Sequence, residues 1–255
     1  MNKEHAETSA ESSPALSPAE IAAEAARRVR EHQKSDPQRR AQLRLNRVVF
    51  SLSKHWLALF NTLVGLYVGL PILAPVLMHY GYPRPAHLIY ACYTHLCHQY
   101  PIRSWFLFGM RPHYTIESGL LSVEVQKAYQ FLGNAELGYK IAFCQRDVAI
   151  YGTMFLAGLL YVLLRRRWKI PALPLWGYLL FGLLPMGLDG GYQLLTSLIA
   201  WLKPGWITPH ETTPLLRTLT GALFGLSSIG VIYPLMEEFF EDTKNLLTKR
   251  YNWRL

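Results

Sequence analysis

Residues 56–78 read WLALFNTLVGLYVGLPILAPVLM, a run of 23 residues without a charged side chain. Three further stretches are similar: VAIYGTMFLAGLLYVLL at 148–164, residues 170–202 with Asp189 as their only charge, and TLTGALFGLSSIGVIYPLM at 218–236. At a helical rise of about 1.5 Å per residue, each stretch is long enough for a bilayer core of about 30 Å. Together they predict an all-α, polytopic membrane protein with a four-span helical bundle.

The composition agrees with a membrane protein. Of the 255 residues, 51% are hydrophobic and only 17% are charged, whereas soluble globular chains average about 25% charged residues. A soluble two-domain enzyme is therefore disfavoured, and three cysteines in this length exclude a small disulfide scaffold. The formal net charge is +9. No zinc-finger spacing, basic-aromatic motif or glycine-rich phosphate loop accompanies it, so we expect no nucleic-acid partner.

The positive charges are unevenly distributed and predict the orientation of the spans. Nine Lys and Arg side chains lie between residues 27 and 54, and the connection RRRWK at 165–169 adds four more, whereas residues 83–146 hold only six. Because Lys and Arg favour cytoplasmic loops, we expect both termini and the RRRWK connection in the cytoplasm, in a multi-pass protein of the cell (inner) membrane. This basic face should contact anionic lipid headgroups.

The predicted topology divides the chain into three parts: a polar, basic cytoplasmic tail at 1–47, a transmembrane domain at 48–240 and a cytoplasmic tail at 241–255. The N-terminal tail contains a predicted helix that starts at the capping box Ser17-Pro18-Ala19-Glu20 and ends near Lys34. The spans lie at about 56–78, 147–164, 171–200 and 218–236.

An outer loop at 80–145 connects the first two spans. Its segment PAHLIYACYTHLCHQ, residues 85–99, is too short and too polar to cross a membrane, so it predicts an interfacial helix packed over the bundle. Pro101 is expected to end this helix. Residues 110–140 read as an insertion with a short amphipathic helix, VEVQKAYQFL, to which we attach no chemistry.

Unusual polar residues share one predicted depth at the outer ends of the spans. Asp189, for example, lies 19 residues after Ile170, which is about 28 Å along a helix. Ionisable side chains at such positions are energetically costly and are usually paired or functional. The residues at this depth are Cys97, His98, Cys144, Arg146, Asp147, Asp189 and Arg217.

Cys97 and Cys144 have three interpretations. They form a disulfide on the oxidising outer face, they bind a metal together with His98 and a carboxylate of Asp147 or Asp189, or they are two inert buried thiols. The ligand types of the metal site suit Zn²⁺. A further alternative is an enzyme in which His98 activates Cys97 as a nucleophile. Adjacent residues rarely face each other, which disfavours this pair, so enzymatic activity stays open.

The other polar residues of the outer face also leave alternatives. Asp189 is a carboxylate paired with Arg146 or Arg217, a metal ligand, or a proton carrier in a small ion or solute carrier. The arginines neutralise carboxylates, bind lipid phosphate or bind a substrate anion. The polar residues assigned to this face besides the metal candidates are Gln99, Arg103, Arg146, Gln193, Glu211 and Arg217.

Several glycines indicate close helix packing. Gly221-x-x-x-Gly225 is a small-residue interface motif, and Gly182, Gly187 and Gly230 lie in the same two predicted spans. Such faces pack helices within one chain or in a homo- or hetero-oligomer. They support a second hypothesis, in which the protein is a structural or accessory membrane subunit with a Cys97–Cys144 disulfide and no metal.

Four segments carry a resemblance to a known family. They are CHQYPIRSWFLFG at 97–109, FCQRDVAIYGTMF at 143–155, LPMGLDGGYQL at 184–194 and ETTPLLRTLTGALFG at 211–225. In this order, they resemble the prokaryotic integral membrane protein family called domain of unknown function 2085, over about residues 55–236. The resemblance implies a four-span fold with a shared outer site and no assigned activity. Many members have a second cysteine where this chain has Asp147, which is a harder ligand.

Overall fold

The computed structural model describes residues 17–35, 37–115 and 118–253. Those parts of the two predicted tails that fall at 1–16, 36 and 254–255 lie outside the described residues, as do residues 116 and 117 of the insertion. The helices are α1 (Pro18–Ser35), α2 (Pro37–His79), α3 (Pro83–Tyr93), α4 (Val123–Gln126), α5 (Gln145–Leu164), α6 (Leu175–Tyr178), α7 (Leu184–Leu202) and α8 (Pro214–Tyr251).

The chain forms two compact units. The smaller one contains the described residues up to Leu52 and from Leu247. In it, the amide of Ser17 donates to Glu20 Oε2 at 2.7 Å and the amide of Glu20 donates to Ser17 Oγ at 3.3 Å. This reciprocal pair is the predicted capping box, and it satisfies two amides that the first turn of α1 leaves without helical partners.

The larger unit, residues 53–246, contains the apolar helices. In the described part of the chain, three helices are long and apolar enough to cross a membrane: α2, α5 and α8. They include the predicted spans at 56–78, 147–164 and 218–236. Many of their leucine side chains are exposed, which suits a protein whose outer surface faces lipid rather than water. The prediction of a membrane protein is therefore supported by three of its four apolar stretches.

The third predicted span, 171–200, differs from the expectation. Its helical run begins at Leu175 and is divided into α6, a π-helical stretch at Leu179–Leu183, and α7. Pro185 lies in the first turn of α7, where its missing N–H interrupts the regular hydrogen-bond ladder. The buried polar residues of α7, which include Asp189 and Gln193, also lower its apolarity. This run is therefore not among the three long apolar helices.

The structure is mostly helical, as predicted, but the outer loop adds a small three-stranded antiparallel sheet that the all-α prediction did not include. The strands are β1 (Ser104–Leu107), β2 (Gly133–Asn134) and β3 (Gly138–Cys144), in the order β1-β3-β2. Ser104 pairs with Cys144 and Phe106 with Lys140, and the register shifts between these two pairs. The predicted amphipathic helix VEVQKAYQFL is reduced to the single turn of α4.

Local turn chemistry explains the hairpin between β2 and β3. Gly133 and Gly138 have φ values of 107° and 79°, a backbone region that favours glycine. Between them, Asn134 Oδ1 accepts hydrogen bonds from the amides of Glu136 at 3.0 Å and Leu137 at 2.7 Å. These are the turn-forming contacts expected of asparagine.

The segment predicted as an interfacial helix forms α3, which ends at Tyr93, before the expected end at Gln99. It packs on β3, where the Tyr90 hydroxyl donates to the carbonyl of Lys140. Buried residues of α2, α3 and β3 form one hydrophobic cluster, in which Cys97 is included. The sheet and α3 thus fix the segment around Cys97 against the start of α5.

A buried asparagine connects the three long helices. Asn61 of α2 accepts a hydrogen bond from the Tyr233 hydroxyl of α8 at 3.1 Å and donates to the carbonyl of Gly158 in α5 at 3.4 Å. Glycine is needed here, because a Cβ atom at Gly158 would lie 2.0 Å from Asn61 Oδ1. Polar side chains buried between apolar helices hydrogen-bond across them, as this one does.

Candidate functional site

Cys97, Cys144 and Asp147 form a compact group that we call the thiol cluster. Their potential ligand atoms, two Sγ atoms and a carboxylate oxygen, all lie within 4.8 Å of one another. The amide of Cys144 donates to Cys97 Sγ at 3.3 Å, and Cys144 Sγ donates to Asp147 Oδ2 at 3.1 Å. Both cysteines are free thiols in the structure.

The junction between β3 and α5 positions this cluster. Cys144 ends β3 and is also the N-cap of α5, where its Sγ accepts from the amide of Asp147 at 3.4 Å. Asp147 lies in the first turn of α5, where a carboxylate interacts favourably with the helix dipole. Cys97 reaches the junction from the turn after α3, since its amide donates to the carbonyl of Tyr93 at 3.0 Å.

The surroundings of Cys144 favour its protonated form. A hydrogen bond with Cys97, burial and the negative charge of Asp147 raise the pKa of the Cys144 thiol well above its usual range. Each of these causes disfavours a thiolate in the absence of a cation. A metal ion at the cluster would reverse this preference, because coordination replaces the thiol proton.

Two of the five predicted metal ligands lie apart from the thiol cluster. The His98 side chain is exposed and lies beside Tyr100, with 5.4 Å between the ring centroids. Asp189 of α7 is buried and forms an ion pair with Arg146. It also accepts a hydrogen bond from the Thr220 hydroxyl at 3.4 Å. The structure therefore brings together Cys97, Cys144 and Asp147 from the predicted set.

The other predicted polar residues, except Gln99, meet with Asp189 in what we call the polar cluster. Its centre is Glu211, whose carboxylate accepts two hydrogen bonds from Arg103, at 3.0 Å and 2.5 Å. The same carboxylate accepts from Arg217 at 2.7 Å and from Gln193 at 2.9 Å. The full polar cluster consists of Arg103, Arg146, Asp189, Gln193, Glu211 and Arg217.

The charges in the polar cluster set the ionisation of Glu211. Burial alone would raise the pKa of this carboxyl, but the guanidiniums of Arg103 and Arg217 outweigh it, so the pKa of Glu211 is lowered. Glu211 is therefore a stable anion at neutral pH. The side chain of Arg217 is only 4% exposed, so the pairing with Glu211 replaces most of its hydration.

Gln99 has a structural position instead. It is fully buried in a left-handed conformation with φ of 50°, and its Nε2 donates to the carbonyl of Tyr90 at 2.9 Å. The main-chain carbonyl of Gln99 accepts a hydrogen bond from Lys140 Nζ at 2.7 Å. Lys140 Nζ also donates to the main-chain carbonyl of Tyr129 at 2.6 Å. Burial lowers the pKa of Lys140 to about 7.

Lys140 is the residue of this region that sequence reasoning missed. The only signal for it was a lysine inside the otherwise apolar run YKIAF of β3. A lysine there reads as an edge-strand charge, whereas the structure buries it completely.

Comparison with known proteins shows a similarity to one family. Residues 136–231 match the model of a family described as "Predicted membrane protein (DUF2085)". The predicted resemblance is confirmed. The matched segment includes Cys144, Asp147, Asp189, Glu211 and Arg217, and it begins after Cys97 and His98. The protein named "Uncharacterized protein MJ1492", from Methanocaldococcus jannaschii, is 28% identical over 155 residues, which cover 60% of this chain and 69% of that protein. No solved structure matches the chain.

Proposed function

We propose that this membrane protein binds a borderline-soft divalent cation, such as Zn²⁺, at the thiol cluster. The observation that carries the proposal is the convergence of three potential ligand atoms from Cys97, Cys144 and Asp147 within 4.8 Å of one another. They come from the turn after α3, the end of β3 and the first turn of α5, so the fold gathers residues that lie 47 positions apart in the sequence.

The donor set suits zinc in number and kind. Zinc is bound by thiolate sulfur and carboxylate oxygen, and sites with three protein ligands keep the fourth position for water or a substrate. His98, the predicted fourth ligand, follows Cys97 directly in the sequence, but its side chain lies beside Tyr100 and outside the cluster, so it would complete the site only after turning toward the thiols. A site closed by His98 is typical of a structural metal, and an open one is typical of a reactive metal.

We also propose that the protein has four spans with both termini in the cytoplasm. The helical run from residue 175 to residue 202 supports the remaining span, which is the third along the chain. In it, α6, the π-helical stretch and α7 follow one another without a break. At about 1.5 Å per residue, such a run exceeds the bilayer core. With the basic segments inside the cell, the thiol cluster lies on the extracytoplasmic face.

Metal analysis of the purified protein tests the site. Wild-type protein loaded with Zn²⁺ and desalted should retain about one ion per chain, as should Cys92→Ser, since Cys92 is exposed on α3 and outside the cluster. Cys97→Ser and Cys144→Ser should bind Zn²⁺ at least about 100-fold more weakly. Equal retention by all three cysteine variants would contradict the proposal.

The second candidate is a structural or accessory subunit in which Cys97 and Cys144 are oxidised to a disulfide. Their 3.3 Å contact between the Cys144 amide and Cys97 Sγ favours it, since the two residues are already neighbours. A thiol count separates the candidates. If the protein binds a metal, denaturation after a chelator has removed the ion exposes three reactive thiols. If Cys97 and Cys144 form a disulfide, only the thiol of Cys92 reacts until a reductant is added.

The orientation has its own test. Because Cys92 is exposed, a membrane-impermeant maleimide should label it in intact spheroplasts, and Cys92→Ser should lose this labelling. Labelling that requires membrane disruption would contradict an extracytoplasmic site.

A further inference from the structure

A cavity of about 410 Å³ lies beside the polar cluster, and its lining is strongly cationic. Arg103, Lys127 and Arg146 line it, together with His98. Among the described residues that line the cavity, none carries a carboxylate. Its volume is in the range of small-ligand pockets, about 300–1,000 Å³.

The carboxylates behind this wall do not neutralise it. Asp189 pairs with Arg146, and Glu211 pairs with both Arg103 and Arg217. The polar cluster thus has three guanidiniums for two carboxylates, and Lys127 adds a further positive charge at the cavity. Buried guanidiniums require partners, so their one-charge surplus favours an anion in the cavity, which the exposed Lys127 also attracts.

The Arg146 guanidinium lines the cavity and is incompletely hydrogen-bonded. Its Nε atom is buried and has no hydrogen-bond partner, which is uncommon for a buried donor. The neighbouring Gly190 makes this position possible, because a Cβ atom there would lie 2.9 Å from Arg146 Nη1. The second guanidinium, that of Arg103, lies over the Tyr100 ring at 5.4 Å from its centroid.

We propose that this cavity binds a phosphate group, either the headgroup phosphate of an anionic phospholipid or a free phosphate. Guanidinium forks match the oxygens of phosphate, and Arg103, Arg146 and Lys127 approach from separate elements, as a group with several anionic oxygens requires. Ser197 and Gln193 also line the cavity. The phosphate site is independent of a metal at the thiol cluster.

Delipidated full-length protein in a neutral detergent tests the proposal with inorganic phosphate as the probe. Calorimetry should give a dissociation constant that is about tenfold weaker in Lys127→Gln, since one charge-assisted hydrogen bond is lost. Lys127 is exposed, so this variant should fold. Lys203→Gln is the matched control, because Lys203 is exposed but does not line the cavity. Gly190→Ala should also weaken binding by displacing Arg146.

A second arm distinguishes the two sources of phosphate. In nanodiscs of mixed phosphatidylglycerol and phosphatidylcholine, native mass spectrometry should show phosphatidylglycerol retained by wild type and Lys203→Gln and reduced in Lys127→Gln and Gly190→Ala. Retention of lipid without binding of inorganic phosphate assigns the site to a headgroup, and the reverse assigns it to a free phosphate. The proposal is overturned if neither probe binds, or if Lys203→Gln weakens binding as much as Lys127→Gln.

Discussion

The buried ion pair between Arg146 and Asp189 should make Asp189→Asn one of the most damaging conservative substitutions in this protein. The Arg146 and Asp189 side chains are only 17% and 4% exposed. Removal of one partner from a buried pair costs about 3–5 kcal/mol, because the other charge is left without compensation. That is a decrease of roughly two to four orders of magnitude in the ratio of folded to unfolded protein.

The chain offers a matched control for this prediction. Arg165 and Glu237 form the same kind of ion pair, but their side chains are 34% and 30% exposed. Glu237→Gln should therefore cost only about 0–1 kcal/mol, as exposed pairs do. Unfolding of both variants in mixed micelles of dodecylmaltoside and dodecyl sulfate, followed by tryptophan fluorescence, measures the difference in free energy of unfolding.

A double substitution completes the cycle. Arg146→Gln combined with Asp189→Asn removes both charges, so the double variant should be more stable than the sum of the two single effects predicts. An Asp189→Asn variant that loses no more stability than Glu237→Gln would contradict this prediction. In that case the pair would not hold Asp189 in place, and its carboxylate would be free to carry protons. A proton flux that disappears from proteoliposomes of a well-folded Asp189→Asn variant would then support a small carrier.

Three further predictions concern packing and pH. Gly225→Ala should lower the free energy of unfolding by about 1–3 kcal/mol, because its Cβ would lie 2.3 Å from the carbonyl oxygen of Ile150. Gly187→Ala is the control and should be neutral or slightly stabilising, since no atom lies within 4 Å of its Cβ. Equal effects of the two variants in a melting experiment would contradict this. The pKa of Lys140 is lowered to about 7 in the folded state from 10.5, so between these values the unfolded state binds more protons and stability should rise with pH; Lys140→Met should remove this slope in melts at pH 7, 8 and 9. The pKa of Glu211 is lowered below 4.5, so its contribution should be complete above that pH and decrease as pH falls through the folded-state value; acid unfolding of Glu211→Gln should lack this step.

The apolar helices could be predicted from the sequence because their signal is local. A helix in a bilayer must satisfy its own backbone hydrogen bonds, so a long run without charges such as 56–78 has few alternatives. The broken third stretch shows the limit of this argument. Length and composition predicted one span at 171–200, but a π-helical stretch divides the helical run just before Pro185. The polar residues Asp189 and Gln193 of α7 are buried because they pair with Arg146 and Glu211.

The sheet was missed because strands depend on partners that are distant in the sequence. β1 at Ser104–Leu107 pairs with β3 at Gly138–Cys144, across an insertion that has no strong pattern of its own. A segment of four residues such as β1 carries too little period to identify by itself. Only the pairing with β3 gives these residues their extended conformation.

For the functional residues, sequence and structure made separate contributions. Cys97, Cys144, Asp147, Asp189 and Arg217 stand out in the sequence because ionisable and thiol groups are costly in apolar surroundings. Their partners are a property of the fold, in which Asp147 lies with the thiols and Asp189 pairs with Arg146. These contacts join segments that are distant in the sequence, such as the turn after α3 and the start of α5, so local sequence patterns cannot select them.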